Sequence, residues 1–276
     1  YRSAAHLKEA NCYDASLAEF QVAAEENDAS AVSYLDSIKQ AVIEYGALDV
    51  ALYFDDANLY QDDTVTSMYQ NRKGTKEANH CVTIVGWDDS FNTFKNSPKG
   101  SGAWLIANSY GSDWGMDGYF WLSYYDTSIT EIYSFEAEST DTSDTNFQYD
   151  GMGWGSGYVG EEDEDISLAN VYTNEESTAQ EIRSVSFYTY ADGQDYQIQV
   201  YRNLRGDGPV DGELVSRCTT FGTADRNGYH SVKLSEPIAV AEGEQFSIVV
   251  TFLAGDGIAY ALVEGEDAPE YGVRYY

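Results

Sequence analysis

Two residues in this chain have types and a setting suited to proton transfer. His80 heads the run Asn79-His80-Cys81-Val82-Thr83-Ile84-Val85-Gly86-Trp87, and Asn108 ends the run Ala103-Trp104-Leu105-Ile106-Ala107-Asn108. Histidine titrates near neutrality without perturbation, so it can take up a proton and return it at physiological pH. An asparagine oxygen that accepts one ring N–H fixes the tautomer and leaves the other nitrogen to face a nucleophile. A neutral partner of this kind suits a thiol: thiolate and imidazolium form an ion pair, and the ring needs no second negative charge behind it.

The elements that must position these two side chains are read from the flanking pattern. Residues 80–87 and 103–108 are apolar runs joined by a polar loop, which predicts neighbouring antiparallel strands with His80 and Asn108 at the same end. Gly111, Gly115 and Gly118 permit a tight turn after Asn108, Trp114 is placed to pack over it, and Tyr110 is placed to keep water from the His-Asn bond. Upstream, Ile38, Ala41, Val42 and Tyr45 recur at helical spacing, with Asp36 as the expected N-cap and Gly46 as the stop. Leu48, Val50, Leu52 and Phe54 then alternate as one face of a strand. Asp55, Asp56, Asp62 and Asp63 mark an exposed loop, and residues 1–30 read as irregular with one short helix.

The wider composition narrows the function. With 276 residues, 47 acidic against 15 basic side chains and a net charge of −32, the chain repels phosphate backbones and anionic surfaces, which excludes nucleic acid as a partner. Its acidity is read as a solvated surface. Three cysteines, Cys12, Cys81 and Cys218, are too few for a disulfide scaffold, and no apolar run reaches the roughly 18 residues of a membrane span, so no membrane insertion is expected.

A polar run, Glu138-Ser139-Thr140-Asp141-Thr142-Ser143-Asp144-Thr145, is read as a boundary between domains at 1–140 and 141–276. Beyond it, strand-like runs at 184–190, 196–201, 228–234, 245–252 and 258–263 alternate with turn signals such as Asp192-Gly193 and Asn227-Gly228, which predicts an all-β sandwich. Tyr149, Trp154 and Tyr158 are read as an aromatic lid on that core ahead of a sugar-stacking platform. The run Glu161-Glu162-Asp163-Glu164-Asp165 offers hard oxygens to calcium but lacks the spacing of a dedicated loop, so a solvated acidic loop is expected. His6 and His230 have no catalytic context and are read as surface or packing residues.

The two motifs, Asn79-His80-Cys81-Val82-Thr83-Ile84-Val85-Gly86-Trp87 and Asn108-Ser109-Tyr110-Gly111-Ser112-Asp113-Trp114-Gly115-Met116-Asp117-Gly118-Tyr119, resemble the His and Asn motifs of the papain-like cysteine peptidases. The likeness covers roughly residues 30–130. Tyr149-Asp150-Gly151-Met152-Gly153 and Ser186-Phe187-Tyr188-Thr189-Tyr190 resemble the lectin-like β-domain of some bacterial cell-surface members. The resemblance implies an α+β papain-like barrel half followed by a jelly-roll, lectin-like sandwich. It assigns His80 as general base and acid and Asn108 as orienter, with Tyr110 standing where the family usually has Trp. No cofactor is implied for catalysis, the substrate is a peptide or protein, and the setting is extracellular or the bacterial cell surface.

The chain shows no segment like the family's Cys-Gly-Ser-Cys-Trp. The family's Cys precedes its His by about 130–150 residues, more than the whole stretch ahead of His80. Cys12 lacks a Gly-rich helix entry, Cys218 is read as structural, and Cys81 points away from His80, as a small wall of a substrate pocket with Ala78 and Asn79 or as core. The nucleophile is therefore expected on an amino-terminal Cys-bearing segment of the same enzyme outside this chain, through maturation into two chains or truncation, and this chain alone is expected to be inactive. The competing expectation is an inactive peptidase-like platform carrying a module for glycan, cell wall or surface protein.

Overall fold

The computed structural model describes residues 5–13, 29–71, 77–139, 145–149, 156–206, 208–255 and 257–263. The short helix expected before residue 30, the middle of the polar boundary at 140–144, Trp154 with its glycines, and the strand-like end at 271–276 lie outside the described residues, as does the side chain of Tyr158. The chain divides into two compact units, Asn11–Glu136 and Tyr1–Ala10 with Ala137–Tyr276.

The division falls within β1 (Ala5–Cys12), a strand where an irregular segment was expected. Its last residues are held by tertiary bonds that no local pattern announces: Asn11 Nδ2 donates to Tyr45 Oη at 3.0 Å and Ser134 Oγ at 3.2 Å, and Tyr13 N–H donates to Ile132 O at 2.9 Å. There follow α1 (Ala29–Tyr45), β2 (Leu48–Leu52), β3 (Leu59–Gln61), β4 (Thr66–Met68), β5 (His80–Asp88), β6 (Ala103–Ala107), β7 (Tyr119–Ser123) and β8 (Ile129–Ser139). The strands of this unit run in the order β8-β2-β5-β6-β7-β4-β3, all neighbours antiparallel except the β4–β7 pair.

Helix α1 starts before Asp36, which lies exposed inside it and caps nothing. The apolar stripe extends back through Tyr34 and Leu35, so packing carries the helix a further two turns. Gly46, at φ +83°, stops it with an N–H donated to Val42 O at 2.9 Å. Ile38, Ala41 and Val42 press onto Leu48, Val50 and Leu52 of β2, and Val82, Ile84, Trp104, Ile106, Phe120 and Leu122 complete the same core. Each large aliphatic buried there contributes about 1.5–3 kcal/mol. Lys39 Nζ reaches Asp89 Oδ1 at 2.6 Å and Tyr124 Oη donates to the same oxygen at 2.8 Å, which ties α1 to the loop after β5 and holds the Asp89 carboxyl below its usual range. The loop expected at residues 55–63 contains β3, because Asp62 Oδ1 gathers the N–H groups of Thr64 and Val65 into a turn that returns the chain through β4.

In the other unit, β9 (Ser156–Glu162), β10 (Ile166–Thr173), β11 (Gln180–Thr189), β12 (Gln194–Arg202), β13 (Glu213–Leu214), β14 (Thr220–Ala224), β15 (Gly228–Val240), β16 (Gln245–Phe252) and β17 (Ile258–Val263) follow in order. One sheet runs β10-β16-β12-β13, with β14 also on β12, while β11 pairs with β15 and β17 with β9. Ile182, Val185 and Phe187 from β11, Ile238 and Val240 from β15, Ile198 and Val200 from β12, and Phe246 and Phe252 from β16 share one core, which makes this unit a β-sandwich. The alternation is plain in β12, where Tyr196, Ile198 and Val200 are buried between half-exposed Gln197 and Gln199. Tyr149 belongs to that core: it stacks on Tyr172 at 5.0 Å and donates its hydroxyl to Val171 O at 2.7 Å. Of the acidic run, Glu161 and Glu162 end β9 and residues 163–165 make the turn to β10, with Glu164 N–H donated to Glu161 O at 3.2 Å.

A bidentate pair closes one end of this unit. Arg202 Nε and Nη2 donate to the two oxygens of Glu244 at 2.7 and 2.6 Å, and Ala241 N–H donates to Glu244 Oε2 at 2.8 Å. Arg202 holds the Glu244 carboxyl below its usual range. A depressed folded pKa adds stability above the unfolded value of about 4.3 and loses it as pH falls through the folded one. Glu244→Gln should therefore lower the unfolding free energy by about 1–3 kcal/mol at pH 7 in urea titrations, and the gap from wild type should shrink below about pH 4.

Candidate active site

The pairing of β5 with β6 brings the two candidate residues together. Thr83 lies opposite Ala107 and Ile84 opposite Ile106, so His80, which opens β5, and Asn108, just past the end of β6, stand at the same rim of the sheet. His80 Nε2 lies 2.8 Å from Asn108 Oδ1. Ser109 N–H donates to that same oxygen at 2.8 Å. A backbone N–H can only donate, so the atom it meets is an acceptor, and His80 Nε2 must carry the proton in the shared bond. This leaves Nδ1 as the lone-pair nitrogen of the neutral ring. Asn108 Nδ2 is buried without a hydrogen-bond partner among the described residues.

The turn from 108 to 119 fixes Asn108 from behind. Asn108 N–H donates to Gly118 O at 2.9 Å, and Gly118 N–H to Trp114 O at 2.7 Å. Gly115 sits at φ +61°, where a Cβ would come within 2.5 Å of Tyr119 O, and Gly118 at φ +91°. Side chains at either position would strain the turn.

Aromatic rings enclose the imidazole. Tyr110 stacks on His80 at 4.9 Å and 27°, while its own outer side is 51% exposed. Trp114 meets Tyr110 edge to face at 5.5 Å. Phe54 completes the cage and is a residue that the sequence reading assigned only to a strand face: it lies edge-on to His80 at 5.4 Å and contacts Tyr110, Trp114 and Phe120. Its signal was its place at the end of the Leu48, Val50, Leu52 alternation, carried one step past β2. Asn79 holds it there, accepting Phe54 N–H on Oδ1 at 2.7 Å and donating Nδ2 to Phe54 O at 3.1 Å.

Ala78, Asn79 and Cys81 are all exposed, which removes the reading of Cys81 as core. Cys81 opposes Ala51 on the face opposite to that of His80 and Val82. Cys12 and Cys218 are buried, the latter completely. The arrangement can therefore hold a base in one tautomer beside a half-buried asparagine, and none of the chain's cysteines is presented to its Nδ1 from the same strand face.

The papain family cysteine protease model matches residues 2–139, and the model of a lectin like domain matches residues 147–271. Curated relatives include cathepsin O of Mus musculus, 34% identical over 84 residues (30% of this chain and 23% of that protein), and cathepsin B-like CP2 of Giardia intestinalis, 35% identical over 100 residues (33% and 29%). The chain thus spans less than a third of the length of these relatives. Among solved structures, the clostridial cysteine protease Cwp84 after propeptide cleavage superposes with a TM-score of 0.74 at 20% identity, covering 98% of this chain and 62% of that one. A structure of the cysteine protease and lectin-like domains of Cwp84, a surface layer associated protein of Clostridium difficile, gives a TM-score of 0.67 at 19% identity, covering 100% of this chain and 56% of that one. At such identity the likeness speaks for the fold.

Proposed function

Because this chain belongs to the papain family of cysteine proteases and carries a lectin-like domain behind its protease part, we propose that it is the base-bearing part of a cysteine endopeptidase whose thiol comes from a segment outside it. The single observation that carries this reading is the 2.8 Å bond from His80 Nε2 to Asn108 Oδ1, with Ser109 N–H fixing which atom accepts. In the assembled enzyme the thiol lies against His80 Nδ1 and passes its proton there, giving a thiolate–imidazolium pair. The thiolate attacks the substrate carbonyl carbon, and the Nδ1 proton goes to the departing amine as the C–N bond breaks. Water, deprotonated by the same nitrogen, then hydrolyses the thioester. Asn108 keeps the ring oriented through both steps, and Tyr110 keeps that hydrogen bond dry.

We place this activity outside the cell, at a bacterial surface. The likeness to Cwp84, itself surface layer associated, supports this, and among the described residues no helix is long and apolar enough to cross a membrane. Co-expression with the Cys-bearing segment encoded upstream should yield a complex that hydrolyses peptides, and turnover indifferent to the loss of His80 would overturn the proposal.

A further inference from the structure

The sandwich unit holds four apolar side chains together at its surface. In β17, Ala259 and Ala261 are fully buried in the core, so Ile258 and Tyr260, one residue to either side of Ala259, face outward. Tyr260 lies directly across from Val159 of β9, and opposed residues on antiparallel strands point to the same side. The Tyr260 ring also meets that of Tyr190, the residue after β11, at 5.3 Å. Val159, Tyr190 and Ile258 are 66%, 55% and 43% exposed. Single exposed apolar residues are ordinary on a protein surface, whereas a contiguous group of them marks a place where something docks.

An acidic turn borders this group. Ile258 lies across from Glu162, and Asp163 N–H donates to Gly257 O at 2.9 Å, which fixes the turn beside the residue that precedes Ile258. Asp165 Oδ1 accepts Ala254 N–H at 2.9 Å, so the turn is tied twice to the connection between β16 and β17. The five acidic side chains at 161–165 are all exposed, and among the described residues none of them is in an ion pair.

The two halves of the surface decide what it takes. Apolar anchors supply affinity when a partner dries them, and bordering charge supplies selectivity and speed of encounter. Nucleic acid, anionic lipid and acidic polymers are repelled. A second copy of this chain brings 47 acidic and 15 basic residues to the contact and is repelled as well. A neutral glycan can stack on the tyrosines but leaves the carboxylates unmatched. A protein segment with aromatic or aliphatic residues beside a run of lysine or arginine matches both halves. We propose that Val159, Tyr190, Ile258 and Tyr260, with the acidic turn at 161–165, form a docking surface for such a basic segment of another protein.

The test uses the whole chain and one fluorescent synthetic peptide, Leu-Trp-Leu-Gly-Lys-Arg-Lys, at about 0.15 M salt. Wild type should bind it about tenfold or more tighter than a version with Ser for Leu and Trp, or one with Glu for the basic residues. Val159→Ser combined with Tyr190→Ser should speed dissociation and abolish the advantage over the Ser version. Glu161→Gln, Glu162→Gln and Glu164→Gln together should slow association by about tenfold and flatten its dependence on salt. Glu44→Gln, Asp56→Asn and Asp63→Asn remove the same charge from exposed positions of the other unit and should leave binding as in wild type. All of the replaced side chains are exposed, and circular dichroism melts close to wild type should show that each variant is folded. Three results would overturn the proposal: binding unchanged in the Val159→Ser, Tyr190→Ser variant, an equal loss in the variant of the other unit, or a dimer in sedimentation that Tyr190→Ser abolishes, which gives the face to a second copy.

Discussion

Replacing His80 by alanine in the assembled enzyme should lower kcat by about 10⁴-fold or more, with KM for peptide substrates changed little. In the proposed mechanism the loss is large because the ring is needed in both halves of the reaction, to take the thiol proton and to return it to the amine. Folding should survive. His80 is only half-buried at the head of β5, and the cage of Phe54, Tyr110 and Trp114 keeps its contacts among its own members. Circular dichroism and urea titration of the variant should therefore remain close to wild type, which separates a lost base from a lost fold.

Trp104→Ala is expected to have the largest effect on stability. Trp104 is 2% exposed, lies between Trp87 and Leu122 in the β5-β6-β7 register and packs against Tyr124 at 4.5 Å. Emptying that volume should cost about 3–5 kcal/mol, because strands paired on both sides cannot close over the gap. For a unit of this size the midpoint of thermal unfolding should fall by roughly 10–20 °C. The sandwich unit has its own core and should keep its own transition. The variant also tests how the active site is carried: β6 delivers Asn108 to His80, so partial loosening of this core should depress turnover at temperatures well below unfolding.

The meeting of His80 and Asn108 was more legible in the sequence than the frame around it. His80 and Asn108 could be placed at one rim because both apolar runs are long enough to read as strands and the loop between them is polar. The Val85 bulge in their register was not visible, since nothing in the composition marks it. Phe54 was assigned to a strand face but not to the imidazole, because its ring is aimed by Asn79, twenty-five residues away in sequence. β1 was missed altogether, as its pairing draws on distant residues and its own pattern is mixed. In the sandwich unit, β11, β12, β15, β16 and β17 announced themselves by β-branched and aromatic alternation. β10, with Ser167, Ala169 and Asn170 along it, and β14, with Gly222 at its centre, did not.

The central claim is that His80 Nδ1 faces a thiol and ionises it. Alkylation of that thiol by iodoacetamide, followed against pH in wild type and His80→Ala complexes, tests it most directly. The account predicts a wild-type rate that stays high from about pH 5 upward, as for a thiolate held by an imidazolium, and a His80→Ala rate that rises only with an ordinary thiol titration near pH 8.5. Matching profiles, both rising near pH 8.5, would contradict it.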